Sequence, residues 1–131
     1  SRIKFFGIVD RKTLLVALKK AHLLVVNKPT ADDYSNYSFS SKILEYMASG
    51  TPLLTTKVGG MPEEYYDYFY FFDEESTEGI KSSLEKIINF NETQLRDKGF
   101  TARAFVVKNK SYQYMTSTII DFLGDSINGD F

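Results

Sequence analysis

A helical run, a stop signal and an apolar strand follow one another in residues 40–56, SSKILEYMASGTPLLTT. On a helical wheel at ~100° per residue, the apolar side chains of this stretch fill one half and the polar side chains fill the other. Gly50 and Pro52 then end the helix, and residues 53–56 form a short apolar run typical of a buried strand. A helix that leads into a strand through a tight turn predicts a unit of an α/β fold.

The rest of the chain continues this alternation. Strands are predicted at 3–9, 22–27, 53–56 and 69–72, and helices at 11–20, 39–49, 77–89, 91–109 and 111–123, with one helical turn at 63–66. Alternating strands and helices indicate right-handed βαβ units. We therefore predict a doubly wound, Rossmann-like α/β domain, with a parallel sheet of about four strands flanked by helices, over residues 1–124. Residues 125–131 are predicted to be a flexible tail.

Composition excludes several classes of protein. The chain has 131 residues, a formal net charge of −1 and no cysteine. Such a charge favours neither nucleic acid nor acidic membranes as a partner, and the absence of cysteine excludes disulfides and thiolate metal sites. The longest aliphatic run, residues 23–26, is far shorter than the ~20 residues of a membrane span. We expect a cytoplasmic protein, with attachment to the inner face of a membrane left open.

The polar side of the central helix predicts a nucleotide site. Ser38 is the predicted N-cap, which leaves backbone N–H groups and the positive end of the helix dipole available to a phosphate at the helix start. Ser41 and Glu45 are separated by roughly 6 Å along the helix axis, close to the distance from a nucleotide's phosphates to its ribose hydroxyls. Taken alone, however, an exposed helical glutamate is more often simply solvated.

The run YSFSSKILEYMASGTPLLTTKVGGMPE at residues 37–63 resembles the C-terminal domain of GT-B glycosyltransferases, above all the large family 4 of retaining enzymes. Residues 5–29 are similar to the strand, helix and strand that precede the donor helix in that family, and the resemblance extends from residue 3 to about residue 123. The positions that match the central motif are Phe39, Ser41, Lys42, Glu45, Tyr46, Met47, Ala48, Gly50, Pro52, Gly59, Gly60, Pro62 and Glu63.

The resemblance implies a site for a nucleotide-sugar donor, which is a substrate, with no cofactor and no metal. It implies that Glu45 binds the donor ribose and that the backbone N–H groups of Ser41 and Lys42, next to Ser40, hold the diphosphate. Gly59 and Gly60 would line the sugar end. Tyr37 stands where the family usually has a second glutamate that contacts the sugar ring, so the acidic pair is broken here. Catalytic residues are not identified.

The resemblance further implies that this is the last two thirds of a donor-binding domain, inactive by itself. The acceptor site of the family lies on a separate N-terminal domain of the same protein, which would be the partner of this chain. Two alternatives stay open: a degenerate, non-catalytic nucleotide-binding or interaction domain, and a protein similar to nucleotide-sugar 2-epimerases, which share the GT-B architecture. Peripheral membrane association of the full-length enzyme also stays open.

Two further features predict no chemistry. His22 begins a strand without an evident carboxylate or serine partner and is interpreted as structural. Asp32 and Asp33 are adjacent acids, but no other ligand is spaced to complete a metal site with them.

Overall fold

The centre of the molecule is a parallel sheet. A computed structural model describes residues 2–31 and 33–128. The strands are β1 (Leu24–Val26), β2 (Leu53–Thr55) and β3 (Tyr70–Phe71), in the spatial order β1-β2-β3. Leu24 is paired with Leu53 and Leu54 with Tyr70. The central strand β2 is buried along its whole length, as expected for a strand with neighbours on both sides and helices around it.

Five helices surround this sheet in the described part of the chain. They are α1 (Arg11–Lys20), α2 (Ser41–Ser49), α3 (Thr77–Ile88), α4 (Glu92–Asn109) and α5 (Tyr112–Asn128), with 3-10 segments at Asp33–Asn36 and Glu63–Tyr68. The α/β class and the parallel, Rossmann-like sheet flanked by helices are thus as predicted.

The helix ends follow from their capping residues. The Asp10 carboxylate accepts hydrogen bonds from the Thr13 backbone N–H at 3.0 Å and from the Thr13 hydroxyl at 2.6 Å. These two hydrogen bonds lower the pKa of Asp10 and fix the start of α1. At α4, Asn91 and Gln94 form a reciprocal capping box. Gly50 ends α2 in the left-handed conformation, with φ of 79°.

The hydrophobic core lies between α2, α4 and the sheet. Ile43 and Met47 of α2 are buried against Leu53, and Ala102 and Val106 of α4 complete the contact. Aromatic rings from the segment that precedes β3 extend this core: Tyr65 lies 4.6 Å from Phe39 and 5.5 Å from Phe105, measured between ring centroids. Helix α2, which carries the predicted site, is therefore held from two sides.

Two predictions about the ends of the chain are wrong. Residues 3–9 were predicted to form a strand, but the described stretch 2–10 contains no strand, and Phe5 and Ile8 are 93% and 105% exposed. A strand needs a neighbouring strand and a packing surface as well as propensity, and the sheet accordingly has three strands rather than about four. At the other end, α5 continues past its predicted end at Leu123 to Asn128; residues 129–131 lie outside the described part, and the flexible tail at 125–131 stays a prediction.

Among the described residues, no helix combines the length and the apolar character needed to cross a membrane.

Candidate functional site

The start of α2 presents backbone donors at the carboxyl edge of the sheet. Ser40 is the N-cap, and its carbonyl accepts the Ile43 N–H at 3.0 Å. Within the described residues, the Ser40 hydroxyl caps no N–H of the helix. The N–H groups of Ser41 and Lys42 have no intrahelical carbonyl to accept them, so they point out of the helix end. This end can bind an anion.

Ser38, the predicted N-cap, has another role. Phe39 and Ser40 are not helical, so Ser38 lies too far from the first turn to cap it. Its hydroxyl instead donates a hydrogen bond to the Tyr34 carbonyl at 3.0 Å and accepts one from the Lys28 ammonium at 3.0 Å. Ser38 therefore ties the loop before α2 to the end of β1.

A cavity of about 80 Å³ lies between the start of α2 and the carboxyl ends of β1 and β2. Lys28 and Lys42 both line it, and the Lys28 ammonium lies 5.1 Å from the centroid of the Tyr34 ring. The volume is well below the ~300 Å³ at which small-molecule pockets begin. The cavity is therefore too small for a whole nucleotide, and its surface is almost entirely apolar. Its remaining lining residues are Val26, Ser38, Phe39, Ser40, Ile43, Tyr46, Thr55, Thr56, Val58 and Met61.

Glu45 lies one turn further along α2 and faces α1. Its carboxylate Oε1 is 3.0 Å from Nη2 of Arg11, and only 25% of its side chain is exposed. Oε1 is buried and accepts no directed hydrogen bond from the described residues. The two observations are compatible, because an ion pair requires proximity and a hydrogen bond also requires alignment. Glu45 is therefore less solvated than its place on a polar stripe predicts.

A groove of about 350 Å³ runs between α1 and α2 beside this ion pair. Arg11, Leu15 and Lys19 of α1 line one side, and Leu44, Glu45, Ala48 and Ser49 line the other. This volume is within the usual range for small-molecule pockets, ~300–1,000 Å³. The start of α2 thus adjoins a small, mostly apolar cavity on one side and a larger groove, lined in part by Glu45, on the other.

Gly59 and Gly60 lie against the loop that leads into α2. A Cβ on Gly60 would come within 2.7 Å of the Ser38 backbone nitrogen, and a Cβ on Gly59 within 2.6 Å of the Asn36 side-chain oxygen. The Gly60 N–H also donates a hydrogen bond to the Ser35 carbonyl at 3.0 Å. The glycine pair permits close packing of two loops, and its neighbours Val58 and Met61 line the cavity.

Tyr37 is 89% exposed, next to the loop that the glycines contact. Its ring is therefore open to solvent at the position where the resembled family has a carboxylate. Ser40 and Lys42 share the cavity, and Glu45 lies in the groove on the other side of the helix. Asp32 lies outside the described residues, and those residues contain no group of three or more side chains suited to a metal.

Sequence reasoning missed Arg11 and Lys28. Arg11 lies in the first turn of α1, where a cation opposes the helix dipole, and this unfavourable placement was the available signal. Lys28 follows β1 at the carboxyl edge of the sheet, where ligands bind in open α/β folds.

Comparison with known proteins decides the family. The family model described as "Glycosyl transferases group 1" matches residues 1–103. The chain belongs to this family. A curated relative, the N-acetyl-alpha-D-glucosaminyl L-malate synthase of Bacillus anthracis, is 29% identical over 134 residues of alignment, which cover 98% of this chain and 33% of the relative. The chain spans about a third of that relative's length, and no solved structure matches it significantly.

Membership in the glycosyl transferases group 1 family confirms the resemblance inferred from residues 37–63 and supports a transferase. The matched region contains α1, α2, β1 and β2, and so includes the whole of the candidate site.

Proposed function

We propose that this chain is the donor-binding portion of a glycosyltransferase that moves a sugar from a UDP- or GDP-sugar to a glycan, lipid or other acceptor. The observation that carries the proposal is the arrangement along α2. Open N–H groups at Ser41 and Lys42 are followed, one turn later, by the half-buried Glu45 carboxylate at the wall of a groove. A diphosphate held at the helix start directs the attached ribose toward Glu45.

Two positively charged side chains support the proposed position of the phosphates. Lys28 and Lys42 both lie beside the helix start, and each carries a positive charge. Cations and backbone N–H groups together stabilise the negative charge that a diphosphate leaving group gains as the glycosidic bond breaks. Lys28 and Lys42 therefore act on the phosphates, and Glu45 accepts hydrogen bonds from ribose hydroxyls.

We expect the chain to bind nucleotide without transferring sugar. Its relative is about three times as long. We therefore place the acceptor site and the remaining phosphate contacts in other parts of a longer protein. An N-terminal acceptor domain of that longer protein would be the partner of this chain, at a cytoplasmic site or at the inner face of a membrane.

Calorimetric titration of the chain with UDP and with GDP tests the proposal. Weak binding of one of them is expected, and Glu45→Ala should lower that affinity about tenfold, the loss of one or two hydrogen bonds to a charged group. Glu85→Ala is the matched control, because Glu85 also pairs with a cation, Lys81 at 3.8 Å, but lies on α3. Equal affinities of the wild-type chain and Glu45→Ala would contradict the ribose role of Glu45.

A second candidate is a nucleotide-binding domain without transferase activity. The exposed Tyr37 favours it, because a phenol cannot provide the negative charge of the usual carboxylate. Nucleotide-sugar binding by the full-length protein, without consumption of the donor, would establish this alternative. Turnover of the donor would exclude it.

A further inference from the structure

Arg11 and Glu45 form the one ion pair that joins α1 to α2 in the described residues. Arg11 does not stabilise its own helix there. It is the first residue of α1, whose first turn contains no acidic residue, and a cation at this end opposes the helix dipole. Its guanidinium instead extends to a carboxylate on the neighbouring helix.

We infer that Arg11 is a positioning residue for ribose recognition: it holds the Glu45 carboxylate in the orientation that accepts the hydrogen bonds of the donor ribose. This inference rests on the proposed function. Oε1 of Glu45 is buried and faces Arg11, so the exposed quarter of the side chain belongs to its other atoms. Oε1 is thereby fixed on the protein, in a side chain that lines the groove between α1 and α2.

The physical need for such a residue follows from the burial of Oε1. A buried carboxylate oxygen without a directed hydrogen bond is unfavourable unless a nearby cation compensates its charge. Without Arg11, the Glu45 side chain would rotate to bring Oε1 into water, and it would lose the fixed orientation that ribose binding uses. The Arg11 side chain is 77% exposed, so the effect should be that of an accessible ion pair, about two- to fivefold in affinity.

The test compares a nucleoside diphosphate with its 2′,3′-dideoxy analogue, because their difference isolates the ribose hydroxyls. UDP or GDP is used, whichever binds the chain more tightly. Arg11→Ala should weaken binding of the natural nucleotide about two- to fivefold and leave binding of the dideoxy analogue unchanged. Arg11→Lys should retain more affinity than Arg11→Ala. In the Glu45→Ala background, Arg11→Ala should have no further effect.

Lys12→Ala is the matched control, since Lys12 is a cation in the same turn of α1 that is outside the ion pair. It should leave both affinities unchanged. Arg11→Ala should also not destabilise the chain, because it removes a charge that opposes the α1 dipole, and thermal unfolding checks this.

The outcomes separate this inference from the proposed function. If the wild-type chain binds both ligands equally, the ribose role of Glu45 fails and the inference fails with it. If Glu45→Ala removes the discrimination but Arg11→Ala does not, only the positioning role is overturned. If Arg11→Ala lowers the affinity for both ligands equally, Arg11 contacts the nucleotide directly, which also overturns the positioning role.

Discussion

At the scale of single residues, the glycine pair at 59–60 shows how a motif read as ligand contact also has a packing role. The Cβ positions of both residues are occupied by the loop before α2. The two close contacts differ in kind, because Gly60 meets the backbone of Ser38 and Gly59 meets the end of an exposed side chain, Asn36. The Asn36 side chain can rotate away at low cost in free energy, whereas the Ser38 backbone cannot.

Gly60→Ala should therefore destabilise the chain by about 1–3 kcal/mol, the usual cost of adding an atom to a well-packed site. Gly59→Ala should cost clearly less. Urea unfolding of the two variants and the wild-type chain measures the difference in free energy of unfolding. Equal stabilities of the two variants would show that the backbone at Ser38 shifts to accommodate the added methyl group as readily as the Asn36 side chain does.

Single residues were also where prediction from sequence was least complete. The spacing of Ser41 and Glu45 on one helix predicted a nucleotide site, because helical periodicity fixes which side chains share a face. The roles of Ser41, Lys42 and Glu45 came from the family resemblance and stay predictions. The Arg11–Glu45 ion pair joins positions on two elements, and no local pattern contains it. Lys28 was missed for the same reason.

At the scale of elements, capping residues made the helix bounds predictable. Asp10 and Asn91 directly precede α1 and α4 in the sequence, and both accept the expected hydrogen bond from a backbone N–H three residues later. The absence of a strand at 3–9 was not predictable in this way, since a strand depends on a partner elsewhere in the chain. The end of α2 was predictable from Gly50, whereas its start was misplaced at Ser38 because several serines precede the first turn.

Asn91→Ala should destabilise α4, and with it the core formed by Ala102 and Val106, by about 0.5–2 kcal/mol. The reason is that the Gln94 N–H, which donates to the Asn91 side chain at 2.8 Å, loses its acceptor. Asn91→Asp retains an acceptor at the same place and should remain close to the wild type. Thermal unfolding of both variants provides the comparison, and a loss of similar size in Asn91→Asp would contradict the capping role.

At the scale of the whole molecule, alkaline pH should weaken the fold. Burial raises the pKa of Tyr65 above its ordinary value of 10.0, and the hydrogen bond to Glu64 raises the pKa of Lys110 above 10.5. Both groups hold their protons more tightly when folded, so their contribution is complete below the unfolded pKa and is lost as the pH rises through the folded pKa. Stability should fall above about pH 10.

Thermal unfolding between pH 8 and pH 11 measures this effect. Tyr65→Phe removes one of the two groups while keeping the ring in the core, so its stability should fall less steeply than that of the wild type. Tyr112→Phe is the control, because Tyr112 is 80% exposed. Parallel curves for Tyr65→Phe and the wild type would rule out a contribution from Tyr65.

The central claim is that a nucleoside diphosphate binds at the start of α2 with its ribose toward Glu45. Amide-resolved NMR during titration of the 131-residue chain with UDP and with GDP tests it most directly. We expect the largest shifts at the amides of Ser41 and Lys42, continuing to Glu45, toward α1. Shifts centred at the opposite edge of the sheet, near His22 and Thr51, or no shifts at millimolar nucleotide, would contradict it.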